Sequence, residues 1–239
     1  MKIKEARQLG AQISNRVRAG SIEAAHALLS PVLNKRTPFD KLRIIGYPIG
    51  ETPKEQSDAF IERIAGEKTE GGWVVIAAAL EKRLERDMAG ALHLCRKFII
   101  AGDIWYCADI LAEGVAGNAL VINFEEALLK LDAWRNDENR WIRRAVGVSA
   151  HYWGKRSKGN QPRHAGHLLT FLEPLFYENQ VEAVKGIGWG LKTIGRYYPD
   201  MLSDWLAHLL NKPERSYRAL MVRKAVTYLP PERRAAIGL

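Results

Sequence analysis

The feature that most constrains this chain is a helical rhythm that hardly lets up across 239 residues. Apolar residues recur three and four apart, the spacing that lines up one face of an α-helix. Alternation with period two is nearly absent, and no Asn-Gly-type turn joins two β-rich runs. The spacing predicts helices over 3–18, 21–33, 39–46, 53–65, 72–83, 86–100, 103–116, 124–134, 138–155, 163–176, 180–196, 200–210, 215–228 and 231–237. Ser21 ahead of Ile-Glu-Ala and Thr52 ahead of Pro53 are the expected N-caps. Pro199-Asp200 and Pro230-Pro231 each close one helix and open the next. Links of a few residues make neighbouring helices antiparallel. Many such pairs in succession predict an all-α fold: a curved, HEAT-like helical-repeat solenoid of antiparallel helix pairs. No low-complexity tract or long linker divides the chain, so 1–239 is expected to form a single α-helical repeat domain whose concave face binds the partner.

Composition narrows the function classes. Hydrophobic residues make up 47% and charged residues 26% of the chain, values of a soluble globular protein. No apolar run approaches the ~20 residues of a membrane span. The opening MKIKEARQLG is charged and lacks a leader's apolar stretch, which predicts a cytoplasmic location. Cys95 and Cys107 fall on apolar helical patterns, as buried small hydrophobes do, and support neither a disulfide framework nor a cysteine metal site. The net charge of +9 is one-sided. Residues 1–134 carry 18 basic and 18 acidic side chains, whereas 135–239 carry 18 basic and 9 acidic. Such an excess suggests a polyanionic partner, most commonly nucleic acid. A merely solvated basic surface is the other reading.

Three helices hold the informative faces. In 103–116, at about 100° per residue, Ile104, Cys107, Ala108, Leu111 and Val115 form the core stripe. Trp105, Asp109, Ala112 and Ala116 form a second stripe, whose small residues are expected to leave space beside the aromatic and the carboxylate. Spacing alone leaves Asp109 open between a structural carboxylate paired to a basic neighbour and a working one. In 138–155, Trp141, Ala145, Val148 and Tyr152 are the core stripe and Arg144 flanks its edge. Arg140, Arg143 and Gly147 lie further round. An arginine so placed pairs with a carboxylate or reaches a phosphate, and Asp109 is a candidate partner. In 180–196, Lys185, Trp189, Lys192 and Arg196 share a stripe apart from the core positions Val184, Ile187, Leu191 and Gly195. Cations for phosphates and an indole for sugar carbons suit a sugar-phosphate backbone. Gly186, Gly188 and Gly190 around the tryptophan point to close approach by a neighbouring helix or a ligand. Arg215, Arg218, Arg223 and Lys224 extend the basic character.

Other chemistries lack their parts. The phosphate-cradling loop, the dinucleotide fingerprint and the nucleophile elbow are missing. His164 and His167, spaced H-A-G-H, have no third ligand in view and are expected to be surface histidines, so no metal is assigned.

Three stretches in this order, DIWYCADIL, ENRWIRRAVGVSAHYWGK and VKGIGWGLKTIGRYYPDML, resemble the HEAT-repeat alkylpurine DNA glycosylases, the AlkD-type DNA alkylation repair family. The resemblance covers roughly residues 52–210. It implies that Asp109 is the catalytic carboxylate, that Trp105 and Trp189 are active-site tryptophans, and that Arg144 lies on the phosphate side. It also implies hydrolysis of the N-glycosidic bond of cationic N3- or N7-alkylated purines in duplex DNA, without base flipping. Beside these, Arg143, Lys185, Lys192 and Arg196 are candidate DNA-binding residues. The expected enzyme is monofunctional and monomeric, takes no cofactor and contacts no membrane. The family's stretch often opens with two tryptophans and an extra acidic residue; here Ile104, Tyr106 and Cys107 occupy that run, which bears on substrate range. Paralogues keep the solenoid without excision, and HEAT-like solenoids often bind proteins, so two alternatives stand beside this: a non-catalytic repeat protein recognising damaged or branched DNA, and a protein-interaction scaffold.

Overall fold

The computed structural model describes residues 1–211 and 218–238, and among these every regular element is helical. Arg215 and the start of the helix expected at 215 lie outside the described residues. The chain forms two compact units, Met1–Val115 and Ala116–Leu239.

The first unit comprises α1 (Ile3–Arg18), α2 (Ile22–Leu33), α3 (Phe39–Gly50), α4 (Lys54–Ala65), α5 (Glu70–Arg83), α6 (Met88–Gly102) and α7 (Trp105–Leu111). Odd-numbered helices stack in series, α1 on α3, α3 on α5 and α5 on α7. Among the even-numbered ones, α2 packs on α1 and α4, and α6 on α5 and α7. This is the pairwise packing of a helical solenoid, as expected. The centre is α5, in which every residue from Trp73 to Leu80 is buried; a helix apolar all round has neighbours all round.

The second unit comprises α8 (Asn118–Ile122), α9 (Phe124–Leu131), α10 (Arg140–Ser157), α11 (Pro162–Leu172), α12 (Val181–Tyr197), α13 (Pro199–Leu210), α14 (Ala219–Ala225) and α15 (Pro231–Ala236). Here α8, α10, α12 and α14 stack in series, and α11, α13 and α15 form a second row. Buried Trp153, Phe176, Leu191 and Leu206 belong to its core. No helix among the described residues is long and apolar enough to cross a membrane.

Local details depart from the sequence reading. Thr52 does not cap α4. It is buried, and its hydroxyl donates to the Ile49 carbonyl at 2.8 Å, closing α3 instead. Ser21 stands at the N-cap of α2 without a side-chain hydrogen bond. The helix expected over 39–46 runs on to Gly50 through Pro48. The helix expected over 103–116 carries a π-helical turn: α7 passes at Leu111 into π-helical Ala112–Gly117, and α8 continues from there. Ala112 and Ala116 are fully buried rather than clearing space, and the wider turn shifts the register of the residues that follow Ala112. The segments 124–134 and 163–176 likewise end in 3-10 turns, Asp132–Asn136 and Glu173–Tyr177.

Candidate functional site

On the first unit the candidate residues are delivered by a sharp turn. Asp103 takes the left-handed conformation (φ 46°, ψ 38°) and ends α6, its amide donating to the Ile99 carbonyl. Ile104 is extended, and Trp105 opens α7 with 54% of its surface exposed. The edge of Tyr106 meets Trp105 with centroids 5.7 Å apart. Asp109 follows one helical turn later, on the same side of α7 and half-buried. Cys107, two positions from Asp109, faces the core instead. Its Sγ lies 3.5 Å from the Phe98 carbonyl, and Gly102 makes room for it: a Cβ there would sit 2.4 Å from that sulfur. Burial pushes the Cys107 thiol up to about 12 despite the nearby charge of Lys68, so it is no nucleophile. The π-helical turn begins directly after α7, a distortion often found at functional positions. Cys95 accompanies it, its Sγ 3.6 Å from the Leu111 carbonyl.

On the second unit the candidates sit where α10 and α12 press together. A Cβ added to Gly147 would lie 2.3 Å from Ile187 Cα, and one on Gly190 would lie 2.5 Å from the Gly147 carbonyl oxygen. Gly190 therefore serves helix approach, one of the two roles expected of it, as does Gly186, where a Cβ would lie 2.6 Å from the Arg144 carbonyl oxygen. Gly188 instead admits the stem of Lys224. Arg144 is more than edge-placed: it is 7% exposed, and its Nη1 donates to the Glu182 carbonyl at 2.9 Å. Nor is α10 the amphipathic helix expected, since both sides of it are largely buried.

Trp189 is half-buried, although its stripe apart from the core positions implies an exposed ring. His151 stacks on it with centroids 3.9 Å apart and planes 23° apart. Lys185 pairs with Glu182 at 2.9 Å. Lys192 and Arg196 both sit over the Tyr228 ring, at 4.8 and 5.2 Å. Arg143 is already engaged: it pairs with Glu178 at 2.5 Å and donates to the Asp137 and Glu138 carbonyls. Burial would raise the Glu178 carboxyl, but Arg143 and the Gln180 and Asn179 amides hold it below its usual range. Arg143 thus ties the approach to α10 to the approach to α12.

Lys224 carries the clearest electrostatic mark. Its ammonium is held below the usual lysine range by burial and by the charges of Lys192, Arg144, Lys185 and Arg223. A crowd of cations raises the local potential and invites an anion. The sequence offered only its membership of a basic stretch. His151 carries no motif in the sequence, although Arg144, Gly147 and His151 share one face of α10 at i, i+3 and i+7. His164 stacks on Phe124, its Nδ1 lies 3.2 Å from the Gln161 side-chain oxygen, and with His167 it approaches Glu125. Among the described residues no group of three or more His, Cys, Asp or Glu side chains could hold a metal ion.

A family model described as DNA alkylation repair enzyme matches residues 49–229, well over half the chain and inclusive of α7, α10 and α12. A comparison with curated proteins returned no match. The chain belongs to the DNA alkylation repair enzyme family, which makes its role DNA repair and its substrate DNA.

Proposed function

We propose that this chain is a monofunctional alkylpurine DNA glycosylase that hydrolyses the N-glycosidic bond of cationic N3- or N7-alkylated purines in duplex DNA. The observation that carries the reading is the pairing on α7 of an exposed tryptophan with a half-buried carboxylate one turn on, in a chain of this repair family. An alkylated purine that bears positive charge departs as a neutral base, so departure needs no general acid. Positive charge grows on the deoxyribose instead, as in glycoside hydrolysis. Asp109 is assigned to that oxocarbenium-like centre, where it stabilises the charge and orients the attacking water. Trp105, and on the second unit Trp189, are each assigned to the apolar surface of a sugar. Arg144, Lys185, Lys192 and Arg196 are assigned to phosphates, and the crowding around Lys224 adds that residue to them. Arg143 takes a supporting part, since its donors already hold the loops ahead of α10 and α12.

No lysine nucleophile is invoked, so the product is an intact strand with an abasic site. The grip falls on sugar and backbone, so the base need not be flipped into a pocket. Incubating the protein with methylated duplex DNA tests this. Free 7-methylguanine or 3-methyladenine, with strand breaks only after alkali, is expected. Salt-sensitive duplex binding without base release would instead mark a non-catalytic DNA-binding protein.

A further inference from the structure

An indole that is to lie along a sugar must be held in one plane, and a tryptophan on a helix surface has several rotamers. Trp189 has a backing that removes this freedom. His151, from α10, is 7% exposed and stacks on the indole at 3.9 Å. Its own ring is fixed in turn. The Thr193 hydroxyl donates to the Trp189 carbonyl at 3.2 Å, which leaves its oxygen to accept the His151 Nδ1 proton at 2.6 Å. The chain of contacts closes on itself: Trp189 carbonyl, Thr193 hydroxyl, His151 ring, Trp189 ring.

We propose that His151 is a positioning residue, fixed by Thr193, that sets the plane in which Trp189 meets the deoxyribose. This rests on the assignment of Trp189 to the sugar. The closed hydrogen-bond chain makes Nδ1–H the bound tautomer. Nε2 is buried and has no hydrogen-bond partner among the described residues, so a second proton there would be a buried, unsatisfied donor. Burial and the charges of Lys155 and Lys192 oppose protonation as well, pulling the imidazole down to about 4. The ring behind the indole is therefore neutral at physiological pH. That suits the chemistry, because an imidazolium there would oppose the positive charge growing on the sugar.

Two readouts test the proposal. The first needs no substrate: nitrogen–proton spectra of the whole protein. The His151 signals should show a neutral Nδ1–H tautomer at pH 6. The Trp189 indole cross-peak, assigned with Trp189→Phe, should move in His151→Ala and Thr193→Val and return in His151→Phe, which keeps the stack. Thr193→Val guards against an Ala variant that fails to fold. The second is single-turnover base release beside affinity for undamaged duplex. His151→Ala should slow release about fivefold, the scale of one aromatic pair, with affinity unchanged and His151→Phe largely restored. An unmoved indole signal, or base release as fast in His151→Ala and Thr193→Val as in wild type, overturns the proposal. A wild type that releases no base, with the indole signal still moved by these variants, overturns the glycosylase reading while the coupling of His151 to Trp189 stands.

Discussion

Trp105 and Trp189 share an assignment but sit in opposite surroundings. Trp105 opens a seven-residue helix just after a left-handed turn, and the edge of the adjacent Tyr106 meets its ring. Trp189 lies within a seventeen-residue helix, backed by His151 and flanked by three glycines, two of which let α10 come close. A chain can thus present an indole cheaply, by ending one helix and starting another, or at the cost of a close-packed helix pair. In the first arrangement the residue is separable from stability. In the second, function and folding share the same contacts.

The largest effect should come from spoiling the close pair. Gly147→Val places side-chain carbon against the Ile187 backbone, 2.3 Å from its Cα, and neither backbone can yield. A loss of about 3 kcal/mol or more is expected from such overpacking, seen as a large fall in Tm. Ala at Gly66 of the first unit, whose nearest neighbour would be 3.5 Å away, should leave Tm almost unchanged. The tryptophans themselves come next. Trp189→Ala should cost about 2 kcal/mol, below the range of a fully buried ring, whereas Trp105→Ala should stay within about 0.5 kcal/mol as an exposed change. Chemical denaturation measures both, and equal losses would erase the contrast.

In the second region a pH effect is expected between about 4 and 6.5, from His151. His151 has its folded-state pKa lowered from 6.5 to about 4. The unfolded chain therefore binds more protons between these values, and the stability that the neutral ring contributes is lost as pH falls through that window. The slope contributed by this one group is at most about 1.4 kcal/mol per pH unit. Urea midpoints between pH 7 and pH 4.5 should fall less steeply in His151→Phe than in wild type. The smallest effect concerns charge: Lys192→Gln and Lys224→Gln should each lower the salt slope of duplex binding by about one unit. Charge removal at Lys97, paired with Glu62 at 2.6 Å in the first unit, should leave it unchanged.

Much of the fold was legible because most helices keep one periodicity from end to end, and the turn residues around Pro199 and Pro231 mark real boundaries. The exceptions have physical causes. A single π-helical turn after Leu111 changes the angle per residue, so a wheel drawn over 103–116 misplaces Ala116, and Ala112 at the start of that turn is buried as well. Thr52 lost its cap role to a carbonyl of the helix before it. The candidate site was legible where one helix carries it, as for Trp105 and Asp109 on α7. It was not legible where it depends on packing between helices. Trp189 reads as exposed on its own helix, and nothing local signals that His151 and Thr193, far apart in sequence, meet beside it.

The central claim is that Asp109 stabilises a sugar cation, and one measurement addresses it most directly. Single-turnover release of 7-methylguanine from duplex DNA is compared between wild type and Asp109→Asn, with duplex affinity measured on the same preparations. A fall of about 10²–10³ in rate is expected, with affinity unchanged. Equal rates for the two proteins would contradict the account.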